Sequence, residues 1–106
     1  MINIADFSRY PSGRDHRDGD NNGTRFREEV LCPAIEEAVA AGNKVVVSLD
    51  GVNSMGSSFL EETFGGLVRN HGYGKDFIKS ILEVTTNRES FKRYVDAAWR
   101  YIDSAA

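Results

Sequence analysis

A single cysteine, two prolines and two histidines among 106 residues remove several chemistries before any pattern is read. One thiol forms no internal disulfide, which fits a reducing cytosol. Cys32 lies in the apolar run Val30-Leu31-Cys32, where a small buried hydrophobe is expected rather than a reactive thiol. His16 and His71 are far apart, and neither has a second ligand at i+3 or i+4. With one cysteine this spacing gives no zinc motif, so no metal site and no cofactor are expected. Positive charge is not in surplus either: 13 Lys+Arg face 16 Asp+Glu, a net charge of −3. A general nucleic-acid binder needs the opposite balance to displace counterions from phosphates. No apolar run approaches the roughly 18 residues a membrane span needs. Met1–Phe7 lacks the charged start and apolar core of a signal peptide. The chain is expected in the cytoplasm, bound to neither membrane nor nucleic acid.

With 41% apolar residues the chain is too hydrophobic to stay disordered. Its length predicts one domain, residues 1–106, around a single core. Ile2 and Ile4 begin a short alternating strand, after which residues 8–23 turn to Gly, Asp, Asn, Arg and Pro. That stretch reads as a long polar loop or a polar edge strand. A helix is predicted from Thr24, with Phe26, Val30, Leu31, Ala34, Ile35, Ala38 and Val39 on one face. Pro33 interrupts its hydrogen-bond ladder, predicting a kink or restart near Cys32, and Gly42 ends it. Val45–Leu49 is continuously apolar apart from Ser48 and suits a central strand. A second helix is predicted over Ser58–His71, a strand over Ser80–Val84, and a last helix opened by a capping box, Thr86-x-x-Glu89. Strands alternating with helices give an α/β fold: a mostly parallel sheet with three to four helices and right-handed crossovers.

The most informative stretch runs from Val45 to Glu62. A buried strand enters a small polar turn containing Asp50, Gly51, Asn53, Ser54 and Gly56, and Ser57-Ser58 then open a helix. Hydroxyls and backbone N–H groups are thereby aimed at one spot beyond the strand's carboxyl end, where open α/β sheets bind ligands and partners. Ser58-x-x-Glu61 is a capping box, so Ser58 is predicted to cap the helix while the Ser57 hydroxyl stays free.

These residues resemble a STAS domain, the fold of bacterial anti-sigma-factor antagonists and of sulfate-transporter tails. The wider stretch is similar to a STAS-like family of uncharacterised bacterial proteins. The similarity is carried by Phe26-Arg27-Glu28-Glu29-Val30-Leu31, Pro33-Ala34, Val45-Val46-Val47, Leu49-Asp50-Gly51, Gly56 to Glu62 and Phe64-Gly65-Gly66-Leu67-Val68-Arg69. The resemblance implies a small STAS-like α/β domain acting as a non-catalytic protein-interaction or switch module. It implies contact through Ser57, Ser58, Gly56, Asp50, Asn53 and Ser54, with a histidine-kinase-like ATPase as the kind of partner. In antagonists the first serine of the pair is phosphorylated, which here corresponds to Ser57. Gly56 and Phe59 stand where the antagonist pattern places an aspartate and a glycine. A phosphate at Ser57 gains from the helix N-terminus but meets Glu61 and Glu62 in the same turn.

Two other readings come from the residues. Asp18 to Glu29 satisfies the calcium-loop pattern, with Asp18, Asp20 and Asn22 at positions one, three and five, Gly23 at six and Glu29 at twelve. The alternative is thus a metal- or small-ligand-binding domain using this acidic loop. Against it, no helix precedes the loop, and Arg25 occupies position eight, where an aliphatic residue normally sits. Ser57, His71 and Asp50 suggest a serine hydrolase, but no nucleophile elbow G-x-S-x-G is present. The sequence leaves partner, pathway and oligomeric state open.

Overall fold

In the computed structural model, which describes residues 1–105, Ile2–Asn3 (β1), Val45–Ser48 (β2) and Leu82–Thr85 (β3) form a three-stranded parallel sheet in the order β1-β2-β3. β2 is the central strand, as its apolar run predicts. Ile2 lies opposite Val47 on one side of it, and Val45, Val47 and Ser48 lie opposite Leu82, Val84 and Thr85 on the other. Five helices surround the sheet: Ile4–Phe7 (α1), residues 23–41 (α2), residues 57–69 (α3), Lys75–Ile81 (α4) and Lys92–Ser104 (α5). The sequence led us to expect three to four, and the short α1 and α4 are the two it did not place. Phe7 holds α1 to the core, edge-on to Phe26 at 5.2 Å and 6.3 Å from Phe59.

α2 begins where Asn22 Oδ1 accepts the Arg25 N–H at 2.8 Å, an N-cap that satisfies one of the helix's unpaired donors. Its ladder widens to a π turn over Arg27–Leu31 and returns to α geometry at Cys32. Pro33 has no N–H to return to the preceding turn, so the kink predicted near Cys32 takes this form. Gly42, at φ 72, ends the helix, and the Asn43 N–H closes onto Ala38 O. Val39, expected on the core face, is instead largely exposed, while Ile35 and Ala38 of the same face are buried. α3 carries a second π turn, Glu61–Gly65, packed against the first. Here the Glu62 carbonyl accepts Arg27 Nη1 from α2.

Of the two readings of residues 8–23, the structure has the polar loop, with a 3₁₀ turn, His16–Asp18, and no edge strand. Three boundary expectations need correction. Ser80 and Ile81 belong to α4, because Ile78 and Ile81 bury one helical face and the chain turns extended only at Leu82. α3 ends at Arg69, two residues before His71. Thr86 is no helix cap: its hydroxyl donates to Asp50, and a 3₁₀ turn, Glu89–Phe91, precedes α5.

The core lies between the sheet and α2, α3 and α5, with Leu31, Ile35, Val47, Phe59, Phe64, Leu67, Ala98 and Ile102 all but sealed from solvent. Among the described residues, no helix is long and apolar enough to cross a membrane.

Candidate functional site

The turn between β2 and α3 is the sequence-predicted site, and its backbone is held from two directions. Val52 N donates to Leu49 O across a tight turn in which Gly51 has φ 89, a conformation that favours glycine. On one side, Asp50 Oδ1 accepts the Thr86 hydroxyl at 2.8 Å and the Asn87 N–H at 2.9 Å, and Arg88 Nη1 donates to Val52 O at 3.0 Å. On the other, the polar loop pairs with the turn: Asn53 N donates to Arg9 O and Gly56 N to Pro11 O. The Asn87 N–H and then the Thr86 hydroxyl hold the Asp50 carboxyl below the usual carboxylate range.

Asn53, Ser54 and Ser57 are exposed, while Asp50, Gly56 and Ser58 are half-buried. Ser57 and Ser58 are the first two residues of α3, as predicted, but Ser58 does not cap it. Gly56 is the N-cap, without a side-chain hydrogen bond. Glu61, which the capping box would turn back towards Ser58, faces Arg14 and Arg69 instead. Burial alone would raise its carboxyl, but hydrogen bonds from Arg69 and Arg14 outweigh burial and hold it low. Glu62 meets Arg27 Nη1 at 2.7 Å and Arg69 Nη2 at 3.5 Å. Both acids, which open the π turn after the first helical turn, are therefore committed to arginines.

Ser57 also borders a groove of about 430 Å³ lined by Met55, Leu60, Arg93, Tyr94, Arg100 and Tyr101. Arg93 lies over the Tyr94 ring at 4.9 Å and Arg100 over Tyr101 at 5.5 Å. The ion pairs among the described residues use Arg14, Arg17, Arg25, Arg27, Arg69, His71, Lys79 and Lys92; Arg93 and Arg100 lie outside them, as do Arg9, Lys44, Lys75 and Arg88. Sequence reasoning missed these two arginines. Their only signal was a position on the polar side of an amphipathic helix.

The acidic loop is arranged differently from a calcium loop. Asp18 Oδ2 accepts the Arg14 N–H, Asn22 caps α2 and donates to Gly19 O, and Glu29 pairs with Arg25. Nor does a Ser57–His71–Asp50 relay assemble, since Asp50 is bound to Thr86 and Asn87 while His71 Nε2 faces Glu28 and Cys32. Among the described residues, the metal-ligand types that converge are Glu28, Cys32 and His71. No spacing rule reveals that group, because His71 lies 39 residues from Cys32.

No curated protein and no solved structure shows significant similarity to the chain. Residues 22–90, from the α2 cap through β3 to the turn before α5, match the family described as "STAS-like domain of unknown function (DUF4325)". With its parallel α/β sheet and its strand–turn–helix site inside that match, the chain belongs to this STAS-like family.

Proposed function

We propose that this STAS-like domain is a regulatory interaction module whose contact surface is the start of α3, with Ser57 at its centre. STAS-like domains are generally non-catalytic, and their membership is compatible with a role like that of anti-sigma-factor antagonists. The observation that carries the reading is the pairing of an exposed Ser57, free of capping duty, with Arg93 and Arg100 beside it, both outside the ion pairs formed among the described residues. An anion there, whether a phosphate on Ser57 or an acidic side chain of a partner, meets helix N–H groups and two guanidinium groups together. Glu61 and Glu62 oppose it little, because Arg14, Arg27 and Arg69 already neutralise them. Gly56, Asp50, Asn53 and Ser54 shape the surface, and Asp50 fixes the turn. The partner this reading calls for is a bacterial cytoplasmic protein, foremost a histidine-kinase-like ATPase that phosphorylates Ser57.

The test is affinity capture from the source organism with the wild type, Ser57→Asp, Arg93→Glu and Val39→Asp, the last altering an exposed site on α2. A protein retained by the wild type and Val39→Asp but lost by both Ser57→Asp and Arg93→Glu is the expected result. Identical capture by all four chains would contradict the reading.

A further inference from the structure

We propose that Glu28, Cys32 and His71 form a binding site for a divalent transition metal of the zinc class, with the fourth position taken by water. Cys32 Sγ lies 3.4 Å from His71 Nε2, the same nitrogen lies 2.9 Å from Glu28 Oε2, and the three donor atoms all fall within 4.8 Å of one another. Ligands about 2.0–2.3 Å from a tetrahedral zinc are separated from each other by roughly 3.3–3.6 Å. The observed spacings thus need only small side-chain adjustments.

One detail decides between a metal and a nucleophilic relay. In a cysteine–histidine–carboxylate relay the imidazole uses its two nitrogens for two different partners. Here thiol and carboxylate converge on one nitrogen, Nε2, which is the arrangement of three donors around a common point. Thiolate, imidazole and carboxylate in a set of three, with an open position, are ligands zinc accepts.

The fold supports the cluster. Glu28 sits in the π turn of α2 and Cys32 immediately after it, a type of distortion that often marks functional positions. His71 follows the end of α3, and the Tyr73 ring stacks on it at 5.8 Å and 12°, fixing its plane. Cys32 is buried, while the Glu28 and His71 side chains keep 44% and 27% of their surface, so an ion has an entry path. Arg27 and Glu36 add opposite charges nearby. Without metal, burial and then Glu28 push the Cys32 thiol up to about 11, which leaves it protonated and a poor nucleophile. On binding, the thiol proton passes to solvent as sulfur, imidazole nitrogen and carboxylate oxygen donate to the ion, with no change of oxidation state.

The experiment titrates the purified chain with Co²⁺ alone, followed by displacement with Zn²⁺, for the wild type, Cys32→Ser, His71→Ala, Glu28→Gln and the distant control His16→Ala. The wild type and the control should show a thiolate-to-cobalt charge-transfer band that Zn²⁺ bleaches. Cys32→Ser should lose the band. His71→Ala and Glu28→Gln should each weaken binding at least about tenfold, the lower end of what loss of even an outer-shell partner costs. Should Cys32→Ser fail to fold, the two surface variants still decide the matter. Absence of the band in the wild type, or equal affinity in His71→Ala, overturns the site.

Discussion

Asp50 uses one carboxylate oxygen twice, for the Thr86 hydroxyl and the Asn87 N–H, and so ties the loop after β3 to the turn after β2. Its carboxyl is held low first by the Asn87 N–H and then by the Thr86 hydroxyl. A carboxylate whose folded pKa is depressed contributes stability above its unfolded pKa and loses it as pH falls through the folded one. The contribution of Asp50 is therefore full above about pH 4, the ordinary aspartate value, and fades at more acid pH. Melting curves between pH 7 and pH 2.5 should show a steeper acid loss for the wild type than for Asp50→Asn. Parallel profiles would mean the carboxylate is not held by these donors. Ser57 and Ser58 make a second test at this scale. Because neither hydroxyl caps α3, Ser57→Ala and Ser58→Ala should each change stability by no more than about 0.5 kcal/mol. A loss near 1 kcal/mol on Ser58→Ala in urea denaturation would restore the capping box that the sequence suggested.

The contact between α2 and α3 turns on a charged residue in an unexpected place. Arg27 is only 2% exposed, yet its guanidinium crosses α3 and reaches both the carboxylate and the carbonyl of Glu62. Gly66 makes room for it: a Cβ there would lie 2.8 Å from Arg27 Cζ and closer still to Nη1. Gly66→Ala should displace the guanidinium. Breaking a buried pair costs about 3–5 kcal/mol and the helix preference of alanine returns about 1, leaving a loss of about 2–4 kcal/mol. At Gly65 an added Cβ meets only the end of the Glu61 side chain and Arg69 Nη1. The ion pair disturbed there is near the surface, so Gly65→Ala should stay within about 1 kcal/mol of the wild type. Chemical denaturation of the two variants side by side checks this, and equal losses would mean that Arg27 does not need the gap. Sequence pattern could mark Gly65-Gly66 but not say which glycine matters or why. The glycine's constraint is an arginine 39 positions earlier in the chain, and charged residues are ordinarily read as exposed.

Across the whole molecule, what was legible in the sequence is what local chemistry decides. The run from Val45 to Glu62 gives a strand, a glycine turn and a helix start from residues adjacent in the chain, and it appears as expected. The Pro33 distortion and the Gly42 stop are equally local. α4 was missed because helix passes into strand at Leu82 with no turn residue between them. Both capping boxes failed because tertiary partners claimed their side chains, Arg14 and Arg69 for Glu61 and Asp50 for Thr86. The arginines beside Ser57 come from α5, whose approach to α3 no local pattern records. That approach is what makes the start of α3 a surface with a charge of its own, and it can be probed without knowing the partner in advance. A photoreactive residue placed at position 57, with the same residue at position 39 as control, should be irradiated in living cells of the source organism. We expect a discrete crosslinked species at position 57 that Arg93→Glu and Arg100→Glu abolish and that position 39 does not give. Crosslinks of equal yield from both positions, or a position 57 adduct indifferent to both arginines, would contradict a contact surface at the start of α3.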